Sequence, residues 1–310
     1  MRVSLTSHRG VGFTLVELLV VVGTVAILIA ILLPTLGRAR EQAVAVQCAS
    51  NMRQLAVGFQ MYAQAYRGAT LPARMPNLSP SQNVYFVGNG EVWRPRWFAI
   101  MGAMTGLYAY DQPSPLQADE NTKPVDNRVF LCPGVPEWTN SRHFPYGYNF
   151  QFLGNSRNVV GTPAGVFRPI HWPVNIAKVR ASATTVLFAD AMGTAAGKPR
   201  EQRIGYRNEP TTHNFAMGNH AFTLDPPRLT PLSDRCDDNH RADEHRSAPD
   251  PRHRRRANVA FVDGHVEALT LPELGYVVLP DGSVTAAGPG AHNRLFSGDG
   301  TDRDPPSVYP

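Results

Sequence analysis

Phe13-Thr14-Leu15-Val16-Glu17-Leu18-Leu19-Val20-Val21-Val22-Gly23-Thr24-Val25-Ala26-Ile27-Leu28-Ile29-Ala30-Ile31-Leu32-Leu33 carries a single charge, at Glu17. At 1.5 Å per residue a helix over this run is roughly 31 Å long, about the thickness of a bilayer core. The preceding residues, 1–12, are polar and hold Arg2 and Arg9. Positive charge before an apolar span keeps that side cytoplasmic and sends the rest of the chain outward. A secretory signal peptide has a shorter apolar core and a small-residue cleavage site after it. Pro34-Thr35-Leu36-Gly37-Arg38 is a poor match to such a site. A plain signal anchor fits the length but leaves Glu17 without a reason. A carboxylate in lipid costs about 2.5–3.5 kcal/mol and calls for a partner.

Beyond Pro34 a second pattern starts. Cys48, Met52, Leu55, Phe59, Tyr62 and Tyr66 recur at steps of four and three, which predicts one apolar stripe on a helix reaching residue 66. Arg38, Arg40, Glu41, Gln42, Arg53 and Gln54 take the other faces. This half is expected to pack on a sheet. A coiled-coil seam is the other reading, but the run spans only about three heptads.

The remainder, 67–310, reads as one β-rich domain. Of the 310 residues 27 are proline and 26 glycine, which favours short strands and many turns over a helical bundle. Residues 71–81 read as a loop. Strands are predicted at 84–87, 97–101, 129–132, 146–150 and 185–189. Asp263-Gly264 between 257–262 and 265–269 predicts a hairpin with a type I′ turn. Asp281-Gly282 between 276–279 and 283–285 predicts another. Residues 225–256, crowded with Pro, Asp, His and Arg, are expected to form a polar surface loop. The expected class is α+β: a long N-terminal helix followed by an antiparallel sheet with long loops.

Gly12-Phe13-Thr14-Leu15-Val16-Glu17-Leu18 resembles the prepilin peptidase site of type IV pilins and type II secretion pseudopilins. Pro34 stands where such proteins often carry a helix-kinking proline. His253, nine residues and then Asp263-Gly264 resembles a His-x9-Asp-Gly signature of pilin-like proteins from planctomycete-type bacteria. Cys48-Ala49-Ser50-Asn51-Met52-Arg53-Gln54-Leu55, Phe130-Leu131-Cys132-Pro133 and Tyr146-Gly147-Tyr148-Asn149 are similar to segments of that group. The resemblance implies cleavage between Gly12 and Phe13, methylation of the Phe13 amine, and pairing of Glu17 with a neighbouring subunit's amine during assembly. It implies prepilin peptidase, other pilin-like subunits and an assembly platform as partners. The implied place is the inner membrane, crossed once, with the C-terminal domain in the periplasm or in a filament. The function expected is that of a structural subunit of a type II secretion or type IV pilus-like filament. The alternatives are a minor, tip-type binding subunit and an anchored periplasmic protein that never polymerises.

Asp237, Asp238, His240, Asp243, Glu244, His245, His253, Asp263 and His265 could supply metal ligands, but their spacing fits no tight motif, and a solvated loop is the expectation. Asp263 and Gly264 are explained by their turn, and His253 is expected to play a structural part. Asp299, Asp302 and Asp304 are weak calcium candidates by oxygen chemistry. The major pseudopilins bind calcium near the same end, but an acidic tail is the plainer reading, so no cofactor is expected. Arg252, Arg254, Arg255 and Arg256 lack interleaved aromatics and the net charge is only +5, so nucleic acid is not an expected partner. No Gly-x-Ser-x-Gly, His-Glu-x-x-His or phosphate-binding glycine loop is present, and no enzyme is expected.

Cys48, Cys132 and Cys236 form no Cys-x-x-Cys pair, which argues against a thiolate zinc site read from spacing. Cys48 lies on the apolar stripe and Cys132 ends a predicted strand, so a disulfide between them is the expectation. It would close a loop of about 84 residues and contribute roughly 4 kcal/mol in the chain-entropy account. In the alternative all three thiols stay free.

Overall fold

A computed structural model describes residues 14–135, 139–157, 168–206, 215–237, 245–286 and 288–308. The chain divides into two compact units, Met1–Ala43 and Val44–Pro310. Helix α1 (Leu15–Ala65) begins in the first and ends in the second, with Pro34 inside it. In the first unit its large apolar side chains are all exposed, from Leu15 to Leu36. An apolar surface on every side is what a single-pass membrane anchor presents, and the helix is long and apolar enough to cross a bilayer.

At the start of α1, Thr14 and Glu17 form a capping box. The Glu17 N–H donates to Thr14 Oγ1 (3.2 Å), and the Thr14 N–H donates to Glu17 Oε2 (2.9 Å). The Thr14 hydroxyl donates to the same carboxylate oxygen at 2.7 Å. Two backbone donors that the helix leaves unpaired are thereby satisfied.

In the second unit α1 buries one face: Cys48, Met52, Leu55, Phe59 and Tyr62, with Asn51, Ala56, Gly58 and Ala63 between them. The periodic stripe is therefore the core face up to Tyr62, whereas Tyr66 lies past the last helical turn and is exposed. The sheet that meets it contains β3 (Tyr146–Tyr148), β4 (Val186–Gly193), β6 (Ala257–Phe261) and β7 (Val266–Leu269), antiparallel in the order β3-β4-β6-β7, and one further short strand. The fifth strand, β5 (Ala248–Pro249), pairs with the end of β4. Hairpin β1–β2 (Val84–Phe86, Glu91–Trp93) and hairpin β8–β9 (Val277–Val278, Val284–Thr285) stand apart from this sheet. The class is α+β, as read from the sequence.

β4 is buried along its whole length because both its faces are covered. Along β6 the period of two is visible: Ala260, and Val262 just beyond the strand, join the core that contains Cys48 and Phe59, while Ala257, Val259 and Phe261 join a second core with Leu274, Tyr276 and Phe296. Aromatic rings dominate the first core. Trp97 stacks on Phe188 at 4.4 Å, Phe98 on Phe144 at 4.1 Å, and Phe59 meets Phe188 edge-on at 6.4 Å.

Several local expectations are corrected. Residues 97–101 form no strand; they make a helical turn, α2 (Trp97–Ile100), followed by α3 (Gly102–Thr105). Helical spacing is what lets Trp97, Phe98 and Met101 all bury, and the Trp97 indole donates to the Phe222 carbonyl at 2.7 Å. Residues 129–132 are no strand either: Arg128–Phe130 is a 3-10 turn, its N-terminus capped by the Asn127 side chain. The strand predicted at 146–150 stops at Tyr148, and α4 (Phe150–Leu153) follows. In the segment 225–256 most of the described residues are buried, including Asp225, Asp234, Cys236, Arg246 and His253. It is interior structure because many of its polar groups are paired. Asp225 accepts from the Cys236 and Ser247 N–H groups, and Arg246 donates to the carbonyls of Pro226 and Pro227.

Both Asp-Gly hairpins form, but not with type I′ turns. Only the glycines take positive φ (99° at Gly264, 83° at Gly282), and Asp263 and Asp281 do not. The Gly264 N–H donates to the Phe261 carbonyl, and that of Gly282 to Leu279. In each, the aspartate side chain accepts from the N–H two residues on, at His265 and Ser283. This is a three-residue loop with glycine in the left-handed bulge position. Two successive positive φ angles occur instead at Arg254 (54°) and Arg255 (66°), where the His253 and Arg256 backbones exchange two hydrogen bonds of 3.0 Å.

Candidate functional site

That turn ends at the residue just before β6 and sets His253 at one edge of a buried cluster. Cys48 reaches the cluster from α1, Cys132 from the turn after Arg128–Phe130, and Asp190 from the middle of β4. One donor atom from each of Cys48, Cys132, Asp190 and His253 lies within 4.8 Å of every other. Among the described residues this is the only such convergence of three or more His, Cys, Asp or Glu groups. All four residues are buried: Cys48 and Asp190 are 0% exposed, Cys132 2% and His253 7%.

Hydrogen bonds organise the group. The Cys48 thiol donates to Asp190 Oδ1 at 3.2 Å, and the Tyr146 hydroxyl lies 3.5 Å from its sulfur. His253 Nε2 stands 3.4 Å from Cys132 Sγ and 3.5 Å from Asp190 Oδ2. The Gly134 N–H donates to Cys132 Sγ, and the Asn258 N–H to Asp190 Oδ2 at 2.8 Å. Asn258 also ties β6 to α1 through the Ala45 carbonyl. At the far end of β6, Gln60 of α1 donates to the Val262 carbonyl. The nine residues between His253 and Asp263 are thus one turn and one strand, fastened to α1 at both ends.

The electrostatics follow from burial and crowding. Burial pushes the Cys48 thiol well up. Cys132 is held down, first by the adjacent Cys48 thiol and then by the charges of Arg252 and His253. Burial raises Asp190 to about 7, against the pull of Arg252. Burial works against a charged His253, yet the Cys132 sulfur and the Asp190 carboxylate raise it.

A Cys-His-Asp set invites comparison with a nucleophilic triad, but the geometry differs. A triad carboxylate holds the imidazole nitrogen remote from the nucleophile. Here Cys132 and Asp190 face the same nitrogen, Nε2. The four donor atoms converge on a point, which is an arrangement for holding a cation.

The other sequence-derived positions fall elsewhere. Gly12 and Phe13 lie outside the described residues, as do Asp238, His240, Asp243 and Glu244. Glu17 is spent on its capping box. Cys48 and Cys132 come together as free thiols. Cys236, expected in a polar loop, is a third buried free thiol, under the backbone carbonyl of His245. Asp263 pairs with His265 on the exposed hairpin turn, at 2.6 Å, and not with His253. Asp237 faces His245. Asp302 and Asp304 each bind Arg228 at 2.7 Å, while Asp299 accepts from Ser297 and Thr301. Arg254, Arg255 and Arg256 are exposed, but Arg252 turns inward. It donates to the Pro145 and Ala191 carbonyls and lies 3.9 Å from Asp190. Asp190 is the ligand-type residue that sequence reasoning missed. The signal was present: a lone carboxylate inside the apolar run Val186-Leu187-Phe188-Ala189-Asp190-Ala191-Met192.

Residues 37–271 match the family described as "Protein of unknown function (DUF1559)", a span that includes all four members of the cluster. No curated protein and no solved structure matches the chain.

Proposed function

The chain belongs to that family, and from this premise we propose that it is a pilin-like subunit, anchored in the inner membrane by α1 with its folded unit in the periplasm. The observation that carries this reading is the continuous helix Leu15–Ala65. Its first half is apolar on all sides and matches a bilayer in length, and its second half supplies one core face of a folded unit. The Gly12-Phe13 junction and Glu17 add the processing and assembly chemistry that the resemblance implies. Processing by prepilin peptidase would leave Phe13 as a methylated N-terminus. Mass spectrometry of the mature chain should find it, and an intact Met1 terminus in the membrane fraction would refute the reading.

The capping box favours a second reading, an anchored protein that does not polymerise, because Glu17 is satisfied within its own chain. Two substitutions separate the two. Glu17→Gln keeps the capping box and removes the charge. If Glu17 compensates a neighbour's amine, Glu17→Gln and Glu17→Ala both insert in the membrane and both fail to enter sheared filaments. If Glu17 only caps the helix, Glu17→Gln behaves as the parent chain.

A further inference from the structure

We propose that Cys48, Cys132, Asp190 and His253 form a closed, four-ligand site for a divalent metal ion of the zinc class, which fastens α1 to the sheet and to the turn at Cys132. The distances support it first. Bonds of about 2.3 Å to sulfur and about 2.0–2.1 Å to nitrogen or oxygen place neighbouring donors of a tetrahedron roughly 3.3–3.8 Å apart. The separations of Cys48 Sγ from Asp190 Oδ1, Cys132 Sγ from His253 Nε2, and His253 Nε2 from Asp190 Oδ2 are 3.2, 3.4 and 3.5 Å. These separations, the first and third to different oxygens of Asp190, are near that edge length, and one donor atom from each of the four residues lies within 4.8 Å of every other.

The choice of ion follows from the donors. Two sulfurs and an imidazole select a borderline-soft ion over calcium or magnesium, and one carboxylate completes four coordination. All four positions come from buried side chains, so the site is closed and structural in type, with no open position for chemistry. Outer contacts of the kind that orient metal ligands are also present: the Gly134 N–H to Cys132, the Asn258 N–H to Asp190, and the Tyr146 hydroxyl at Cys48.

Charge points the same way. Two thiols, a carboxylate and an imidazole in a dry pocket are costly to leave as they are. A divalent ion with two thiolates and one carboxylate leaves one net negative charge. The guanidinium of Arg252, shared with Asp250 at 3.0 Å, lies beside Asp190 to meet it. The ligands come from four segments far apart in sequence, so the ion would replace long-range chain entropy with four bonds, as a disulfide does with one.

The test uses the full chain, extracted from membranes in detergent with a thiol reductant. Its metal content is measured by mass spectrometry; the ion is then removed and the protein titrated with cobalt(II). Close to one zinc per chain is expected, with cobalt giving thiolate charge-transfer bands and the visible bands of a four-coordinate ion. Cys132→Ser and His253→Ala should each weaken metal binding by at least about tenfold. Stripping the ion should lower the melting temperature of the parent chain by more than that of Cys132→Ser, and equal shifts would count against the site. The cobalt spectrum of the parent chain does not depend on how the variants fold. Absence of both metal and thiolate–cobalt bands in the reduced, folded chain would overturn the proposal. So would a Cys48–Cys132 disulfide in peptides from protein alkylated at lysis.

Discussion

The segment before residue 44 and the unit after it sort their residues in opposite senses. Between Leu15 and Leu36 the leucines, isoleucines and valines lie on the outside, with Leu15 75% exposed. After Val44 charges are found inside: Asp190, Asp225 and Arg246 are fully buried. The difference teaches that burial follows the solvent and the available partners, and not hydrophobicity alone. Lipid accepts an apolar surface and needs only the backbone satisfied, which one helix does by itself. An interior accepts a charge only when each polar atom finds a partner, as Asp225 does with Cys236, Ser247 and Gln151.

The contrast can be broken most sharply along α1. Phe59→Ala removes a ring packed on Tyr148 and Phe188 and should cost the folded unit about 3–5 kcal/mol in denaturant unfolding. Leu28→Ala should leave that transition where it is. An unfolding midpoint that moves equally for both would end the distinction between the two halves. Leu28→Lys should reverse the pattern, costing roughly 3 kcal/mol of membrane insertion while the folded unit melts as before. Glycan-mapping of insertion measures the first quantity and a thermal scan the second.

A smaller effect tests the buried charge. Burial raises Asp225 above its ordinary value, so the native state binds its proton more tightly than the unfolded chain does. The unfolded state therefore binds fewer protons between about pH 3.9 and the raised value, and stability falls with rising pH across that window, by at most about 1.4 kcal/mol per pH unit from this group. Asp225→Asn should remove this component of the slope in pH-dependent denaturant curves. An unchanged slope would mean that Asp225 does not hold its proton in the native state.

The smallest effect concerns the turn at the cluster. Arg255 is exposed and holds a φ of 66°, which costs an L-residue about 1–2 kcal/mol. Arg255→Gly should stabilise the folded unit by about 0.5–1 kcal/mol, after the glycine's extra unfolded entropy is counted. A loss of stability on the same measurement would show that the arginine side chain outweighs the backbone strain.

How much could be read in advance varies with the range of the interaction. The apolar span, the stripe from Cys48 to Tyr62 and the two Asp-Gly hairpins follow from periods and pairs within a few residues, and all are present. The segments at Trp97 and Val129 misled because short apolar runs with aromatic or branched residues read alike as strand or helical turn, and only their neighbours decide. The polar segment after Asp225 misled in a different way. Its composition describes a solvated loop, and outside partners such as Gln151, Asn155 and Pro145 lie on stretches of chain that no local window connects.

The cluster shows the same division. The amino-acid sequence alone determined that three residues carry the resemblance, Cys48, Cys132 and His253, and that no short spacing links them. It also set one carboxylate, Asp190, in an otherwise apolar run. Only the tertiary structure decided that these four share a site. Cys48 arrives on the buried face of α1, β4 and β6 pair beside it, and the Arg254-Arg255 turn points His253 inward. Local propensity is set by a residue and its near neighbours, whereas a donor set drawn from residues 48, 132, 190 and 253 exists only once helix, turn and sheet have packed.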